Sequence, residues 1–197
     1  NLGAILQELG EKQKAKECFE KTIEIDPNRA HAHNNLGAIL QELGEKQKAK
    51  ECYEKAIEIN PNYADAHNNL GVIFEKLEDY NKAKSYYKKA TEINPNHSRA
   101  HNNLGSMLQK LGEKQKPKEC FEKAIEINPD YTNAHSNLGT IFKELGEFEK
   151  AEECYKKTIE IDPNHIIAHN NLSSLYIRTL DDLEKSINLS YKSLKVF

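Results

Sequence analysis

Apolar residues in this chain recur at spacings of three and four, with polar residues between them. In residues 64–97 one set is Ala66, Leu70, Ile73, Phe74 and Leu77, and a second is Ala83, Tyr86, Tyr87, Ala90 and Ile93. Both follow the period of an amphipathic helix. A short polar turn separates them, and Ile-Asn-Pro-Asn closes the second, because proline cannot continue a helix and biases the residue before it away from helical backbone. No segment alternates apolar and polar positions for long enough to be a strand. The pattern predicts pairs of helices and an all-α chain.

The pair is repeated. Residues 1–28 and 35–62 differ at three of 28 positions, Phe19/Tyr53, Thr22/Ala56 and Asp26/Asn60, at a shift of 34 residues. The same start recurs at Leu70, Leu104, Leu138 and Leu172. If Leu70 is numbered position 7 of its unit, all nine Gly fall at two positions: Gly3, Gly37, Gly71, Gly105 and Gly139 at 8, and Gly10, Gly44, Gly112 and Gly146 at 15. Pro27, Pro61, Pro95, Pro129 and Pro163 share position 32, and Cys18, Cys52, Cys120 and Cys154 share position 23. The expected organisation is one array over 1–197, with units at 1–29 (partial), 30–63, 64–97, 98–131, 132–165 and 166–197 (divergent).

The period, with Leu-Gly at 7–8, Ala83 at 20, Tyr87 at 24, Ala90 at 27 and Pro95 at 32, resembles the tetratricopeptide repeat (TPR) family along the whole chain. The resemblance implies a right-handed α-solenoid of helix-turn-helix units whose first helices line a concave groove. Several positions depart from the family pattern. Position 4, usually aromatic, is His33, His67, His101, His135 and His169; Pro117 replaces Ala at 20, Glu78 replaces Gly at 15, and Ser173 replaces Gly at 8. Pro117 lies in the first turn of its helix, where a missing N–H is tolerated. The last unit is expected to carry an extra residue near Thr179–Asp181 and an uncapped apolar helix from Leu183 to Phe197, and the first lacks positions 1–5. Solenoids need solvated ends, so both ends are expected to be cut from a longer array.

A helical wheel divides the two helices. In the first, positions 4, 7, 8, 11 and 14 form the packing face, and 2, 5, 6, 9, 12 and 13 lie opposite. In the second, positions 20, 23, 24, 27 and 30 are the apolar stripe. Its other side carries i,i+4 pairs such as Glu51→Lys55, Glu119→Lys123 and Glu153→Lys157. The open side of the first helix carries Asn34, Asn68, Asn102 and Asn170 at position 5, with Ser136 in the fifth unit, and Asn35, Asn69, Asn103, Asn137 and Asn171 at position 6, after Asn1. Position 9 is small throughout. An Asn amide offers both donors and an acceptor, so it can hold a peptide unit by its C=O and its N–H. The row resembles the asparagine-ladder TPR type of O-linked N-acetylglucosamine transferase, which implies a groove gripping extended peptide backbone. Inheritance through recent duplication, or bonding between neighbouring repeats, explains the same row without a ligand.

Composition removes other classes. With 28 Lys+Arg against 31 Asp+Glu the net charge is −3, which gives no electrostatic reason to seek nucleic acid or an anionic membrane. No apolar run is long enough to span a bilayer, and no secretory signal is visible. The His column is spaced one repeat apart, too far for a shared metal ion, and a half-buried, hydrogen-bonded histidine is the expected role. His31 and His33 do not face one another on a helix. The cysteines form no CxxC motif and are expected to be reduced, core-facing thiols, which suits a cytoplasmic protein, with nuclear or ciliary/cytoskeletal settings also open. No nucleotide, hydrolase or zinc-protease motif appears. The expectation is no enzyme, no catalytic residue, no metal and no cofactor. The clamp that binds Hsp70/Hsp90 C-terminal peptides is absent too: position 5 is never Lys, 9 never Asn and 6 never Arg, leaving Arg99 at position 2 as an isolated match. The expected function is a protein–protein interaction scaffold whose groove holds an extended peptide or a partner helix. The alternatives are a substrate-recruiting segment of a larger enzyme such as a glycosyltransferase, or an architectural part of a cytoskeletal or ciliary assembly.

Overall fold

The computed structural model describes residues 3, 5–6, 9–113, 116–178 and 184. The extra residue and the terminal helix expected over 179–197 lie, Glu184 apart, outside the described residues. Every bounded element is an α-helix. Lys12–Ile25 (α1), Ala30–Glu42 (α2), Lys46–Ile59 (α3), Ala64–Lys76 (α4), Tyr80–Ile93 (α5) and Ser98–Lys110 (α6) fall in one compact unit, Asn1–Glu113. Lys116–Ile127 (α7), Thr132–Glu144 (α8) and Phe148–Ile161 (α9) fall in a second, Lys114–Phe197, where residues 166–178 are also helical. In the first unit each helix packs on the next in chain order, and α2 also touches α4. In the second, α7 packs on α8 and α8 on α9. The architecture is an all-α stack of helical hairpins, the construction of an α-solenoid.

The repeated residues explain the hairpin. Positions 20, 24 and 27 of the second helix are buried together: Ala49, Tyr53 and Ala56 in α3, and Ala83, Tyr87 and Ala90 in α5. The aromatic at 24 lies flat on the position-8 glycine of the preceding helix. A Cβ on Gly71 would stand 2.7 Å from Tyr87 Cδ1, so only glycine lets the helices approach this closely. Position 15 ends the first helix with left-handed backbone, φ +83° at Gly44 and +79° at Gly112 and Gly146. Glu78 holds the same place at φ 60°, a conformation that costs an L-residue about 1–2 kcal/mol. Glu78→Gly is therefore expected to stabilise the protein by about 0.5–1 kcal/mol, the added freedom of the unfolded glycine offsetting part of the gain. Urea unfolding of the two proteins checks this.

The turn between hairpins is built by three side chains. Position 31 is Asp or Asn, and its Oδ1 accepts the N–H two residues on: Asn28 donates to Asp26 (3.2 Å), Asn62 to Asn60 (3.1 Å), Asn96 to Asn94 (3.0 Å), Asp130 to Asn128 (3.2 Å) and Asn164 to Asp162 (3.0 Å). Proline follows, and its carbonyl accepts the Nε2–H of the next unit's position-4 histidine, at 2.8–2.9 Å for His33, His67, His101, His135 and His169. The histidine thus ties each first helix to the end of the preceding hairpin. Burial holds the His67 pKa below its ordinary value.

The surface ion pairs differ from the wheel's. Lys55, Lys123 and Lys157 reach forward to Glu58 (3.0 Å), Glu126 (2.9 Å) and Glu160 (2.9 Å) rather than back to the glutamate four residues earlier. Each lysine has a carboxylate on both sides, and exposed pairs differ by only tenths of a kcal/mol; Glu51 already accepts from Gln47 (3.0 Å). Pro117 sits in the first turn of α7, buried where the other units place alanine.

Candidate peptide-binding face

The open side of α2, α4 and α6 does not present both asparagine columns. Asn34, Asn68 and Asn102 at position 5 are buried, Asn68 completely, while Asn35, Asn69 and Asn103 at position 6 are half-buried. A single-helix wheel sees one packing face. Here α2 packs on its own second helix and also touches α4, and Asn69 of α4 reaches Asn34 across that contact.

The two columns form one continuous hydrogen-bond relay. Asn102 Nδ2 donates to Asn103 Oδ1 (3.4 Å), Asn103 to Asn68 (3.0 Å), Asn68 to Asn69 (3.4 Å), Asn69 to Asn34 (3.0 Å) and Asn34 to Asn35 (3.3 Å). Every amide points the same way. An amide carries two hydrogens and two acceptor sites, so Asn69 and Asn103 each keep one hydrogen and one lone pair for the open side. Asn35, at the end of the relay, keeps both hydrogens.

The second unit departs from this. Ser136 is buried at position 5 and accepts Thr140 Oγ1 on its carbonyl (3.1 Å). Asn137 and Asn171 are half-buried and Asn170 is exposed. Serine interrupts the amide pattern, and among the described residues no further first helix packs over Asn170.

A polar cavity of about 430 Å³ opens beside the relay in the first unit, lined by Asn34, Asn35, Gln41, Tyr53, Asn69 and Arg99 among others. Tyr53 forms part of the lining, and its hydroxyl donates to Gln41 Oε1 (3.4 Å). Burial pushes its phenol far above the ordinary pKa, opposed by the Arg99 guanidinium. At the rim, in two repeats of the first unit, the last residue meets the second. Tyr63 Oη lies 2.7 Å from His31 Nδ1, with the Tyr63 phenol pushed up to about 12 by burial. His97 Nδ1 accepts Ala100 N–H (3.3 Å) and caps α6, which places the ring hydrogen on Nε2, 3.1 Å from Asp65 Oδ1. His97 holds the Asp65 carboxyl below its usual range. These rim residues carry no sequence motif; only the repeat register, pairing position 34 with position 2, points to them.

Cys52 and Cys154 are half-buried, and burial pushes their thiols up to about 11. Among the described residues there is no cluster of three metal-ligating side chains and no helix long and apolar enough to cross a membrane.

Stacked helical hairpins with one polar, amide-lined face define a helical-repeat protein. Family models described as Tetratricopeptide repeat match residues 1–62, 30–96, 63–130 and 132–165, and the chain belongs to that family. Among solved structures it is similar to YrrB, a TPR protein with an unusual peptide-binding site (28% identity, TM-score 0.64, covering 86% of this chain and 88% of that one). It is also similar to pilF of Pseudomonas aeruginosa (23%, 0.78, 90% and 86%) and to MamA (24%, 0.67, 83% and 95%), which show the fold. No curated protein sequence matches the chain significantly.

Proposed function

We propose that the protein is an interaction scaffold whose open face in the first unit holds an extended peptide by its backbone. The observation that carries this is the uniform orientation of the Asn35, Asn69 and Asn103 amides, each with unused hydrogen-bonding capacity on the open side. Buried Asn34, Asn68 and Asn102 hold them in place, so little side-chain entropy is lost on binding. Small neighbours such as Ala38 leave room for main chain to approach. The likeness to YrrB, itself a peptide-binding TPR protein, supports the reading.

The test is selection of a random 12-residue peptide library, displayed on phage, against this protein and an Ala38→Tyr variant. Ala38 lines the cavity without a part in the relay, so a bulky neutral side chain there fills the groove and leaves the amides intact. Retained peptides are expected to bind the variant about tenfold more weakly or worse, a loss of about 1.4 kcal/mol or more. Retained peptides that bind both proteins equally contradict the groove.

A further inference from the structure

We infer that a second cavity of the first unit, beside α1, α2 and α3 and away from the amides, is a docking site for a tyrosine side chain of a protein partner.

Two successive repeats frame the same space and fill it differently. The cavity measures about 350 Å³ and is lined by Lys16, His33, Leu36, Leu40, Lys48 and Cys52 among others. One repeat on, 34 residues later, stand Lys50, His67, Leu70, Phe74, Lys82 and Tyr86. Of these pairs only Leu40/Phe74 and Cys52/Tyr86 differ. In the later repeat Tyr86 stacks on Phe74, with centroids 5.3 Å apart and planes inclined by 4°, and its ring lies 6.1 Å from that of His67. Lys50 and Lys82 hold their ammonium groups 5.6 and 5.2 Å from the Phe74 centroid. Tyr86 helps to cover the histidine. His67 is buried, whereas His33, beside Cys52, is half-buried, although both bond a proline carbonyl at 2.9 Å. The later repeat thus shows what the frame holds when full. The earlier repeat keeps the frame and lacks both rings.

The walls that remain select the guest. Leu36, Leu40 and the half-buried Cys52 give an uncharged floor. Lys16 and Lys48, in the places of Lys50 and Lys82, bring two cations to the walls. Both face Glu45, at 3.3 and 2.6 Å, just as Lys50 faces Glu54 (3.4 Å) and Lys82 faces Asp79 (2.8 Å). Those pairings do not keep Lys50 and Lys82 from flanking a ring. The negative face of an aromatic ring complements two ammonium groups, a match that an aliphatic guest lacks. Because the cavity is open to solvent, a side chain can enter while its main chain stays outside. A tyrosine buries its ring there and leaves its hydroxyl in water.

The experiment is a titration of the full chain, carrying ¹³C-labelled leucine methyl groups, with p-cresol and with N-acetyltyrosinamide. Both are expected to bind with a dissociation constant of about 1 mM, and to move the Leu36 and Leu40 methyl resonances upfield as a stacked ring does. The shifts are expected to vanish in the Leu40→Phe/Cys52→Tyr variant, which rebuilds the ring pair of the next repeat; Cys52→Tyr alone serves should the double variant fail to fold. 4-Methylcyclohexanol, which has the same outline without the π face, is expected to bind about threefold more weakly or worse. Leu36 and Leu40 methyls unmoved by either probe, or shifts that persist in the filled variant, overturn the site. A response to p-cresol without one to N-acetyltyrosinamide overturns the side-chain assignment in favour of a small-molecule cavity. Equal binding of 4-methylcyclohexanol overturns the choice of an aromatic guest.

Discussion

Tyr87→Ala is expected to destabilise the protein by about 3–5 kcal/mol, the largest effect of any single substitution considered. The ring is fully buried and lies on Gly71, where a Cβ would come within 2.7 Å. The ring belongs to a buried core with Leu70, Ile73 and Met107, so its loss leaves a cavity beside the glycine contact. The hydroxyl donates to Glu75 Oε2 (2.8 Å), and Glu75 Oε1 binds Lys110 on the next repeat (2.6 Å). Tyr87→Phe removes only the hydroxyl and is expected to cost about 1 kcal/mol, since Glu75 keeps Lys110. Urea unfolding of both variants separates packing from hydrogen bonding. Equal losses in the two would mean that the hydroxyl, not the ring on glycine, holds the repeats together.

Asn68→Leu is expected to cost about 2–3 kcal/mol, although it places an apolar residue at a site with no exposure. Leucine matches asparagine in side-chain heavy atoms, but its methyl groups are bulkier, so overpacking contributes to the cost. The rest comes from cutting the relay at its middle: Asn103 Nδ2 loses its acceptor and Asn69 Oδ1 its donor. The paired control is Asn35→Leu, at the end of the relay, where one bond is lost and half the side chain is solvated; about 0.5–1 kcal/mol is expected. A neutral or stabilising Asn68→Leu would show that the buried amides contribute nothing net, as happens when a polar group is replaced in a core that tolerates its partners' rearrangement. The ordering, middle above end, is the signature of a connected chain of amides.

Much of the hairpin was legible because each special residue recurs in register. Glycine at 8 and 15 and proline at 32 mark places where backbone geometry admits few alternatives, so a column of them fixes the turns and the close approach. The histidine column was read as hydrogen-bonded, and the structure supplies the partner, the carbonyl of the preceding unit's proline. What the sequence hid arises between repeats. Position 5 falls on the open side of a wheel drawn for one helix, yet Asn68 is fully buried and accepts from Asn103 of the next repeat. The contact of Asp65 with His97 joins residues 32 apart, and no helical periodicity links those positions. The role of Asp and Asn at position 31, as acceptors for the N–H two residues on, appears only once the turn is built. The cavity has the same origin, since Asn35, Asn69 and Arg99 come from three successive repeats.

The central claim is that amides held by a buried relay read peptide backbone, and the side-chain N–H resonances of asparagine report on it directly. The protein is labelled with ¹⁵N-asparagine and titrated with a groove-dependent peptide from the library. The account predicts that the Nδ2 resonances of Asn35, Asn69 and Asn103 shift as the peptide saturates, while fully buried Asn68 keeps its hydrogen bonds and shifts least. Saturation with those three resonances unmoved would contradict it, and would mean that the relay serves only to join one repeat to the next.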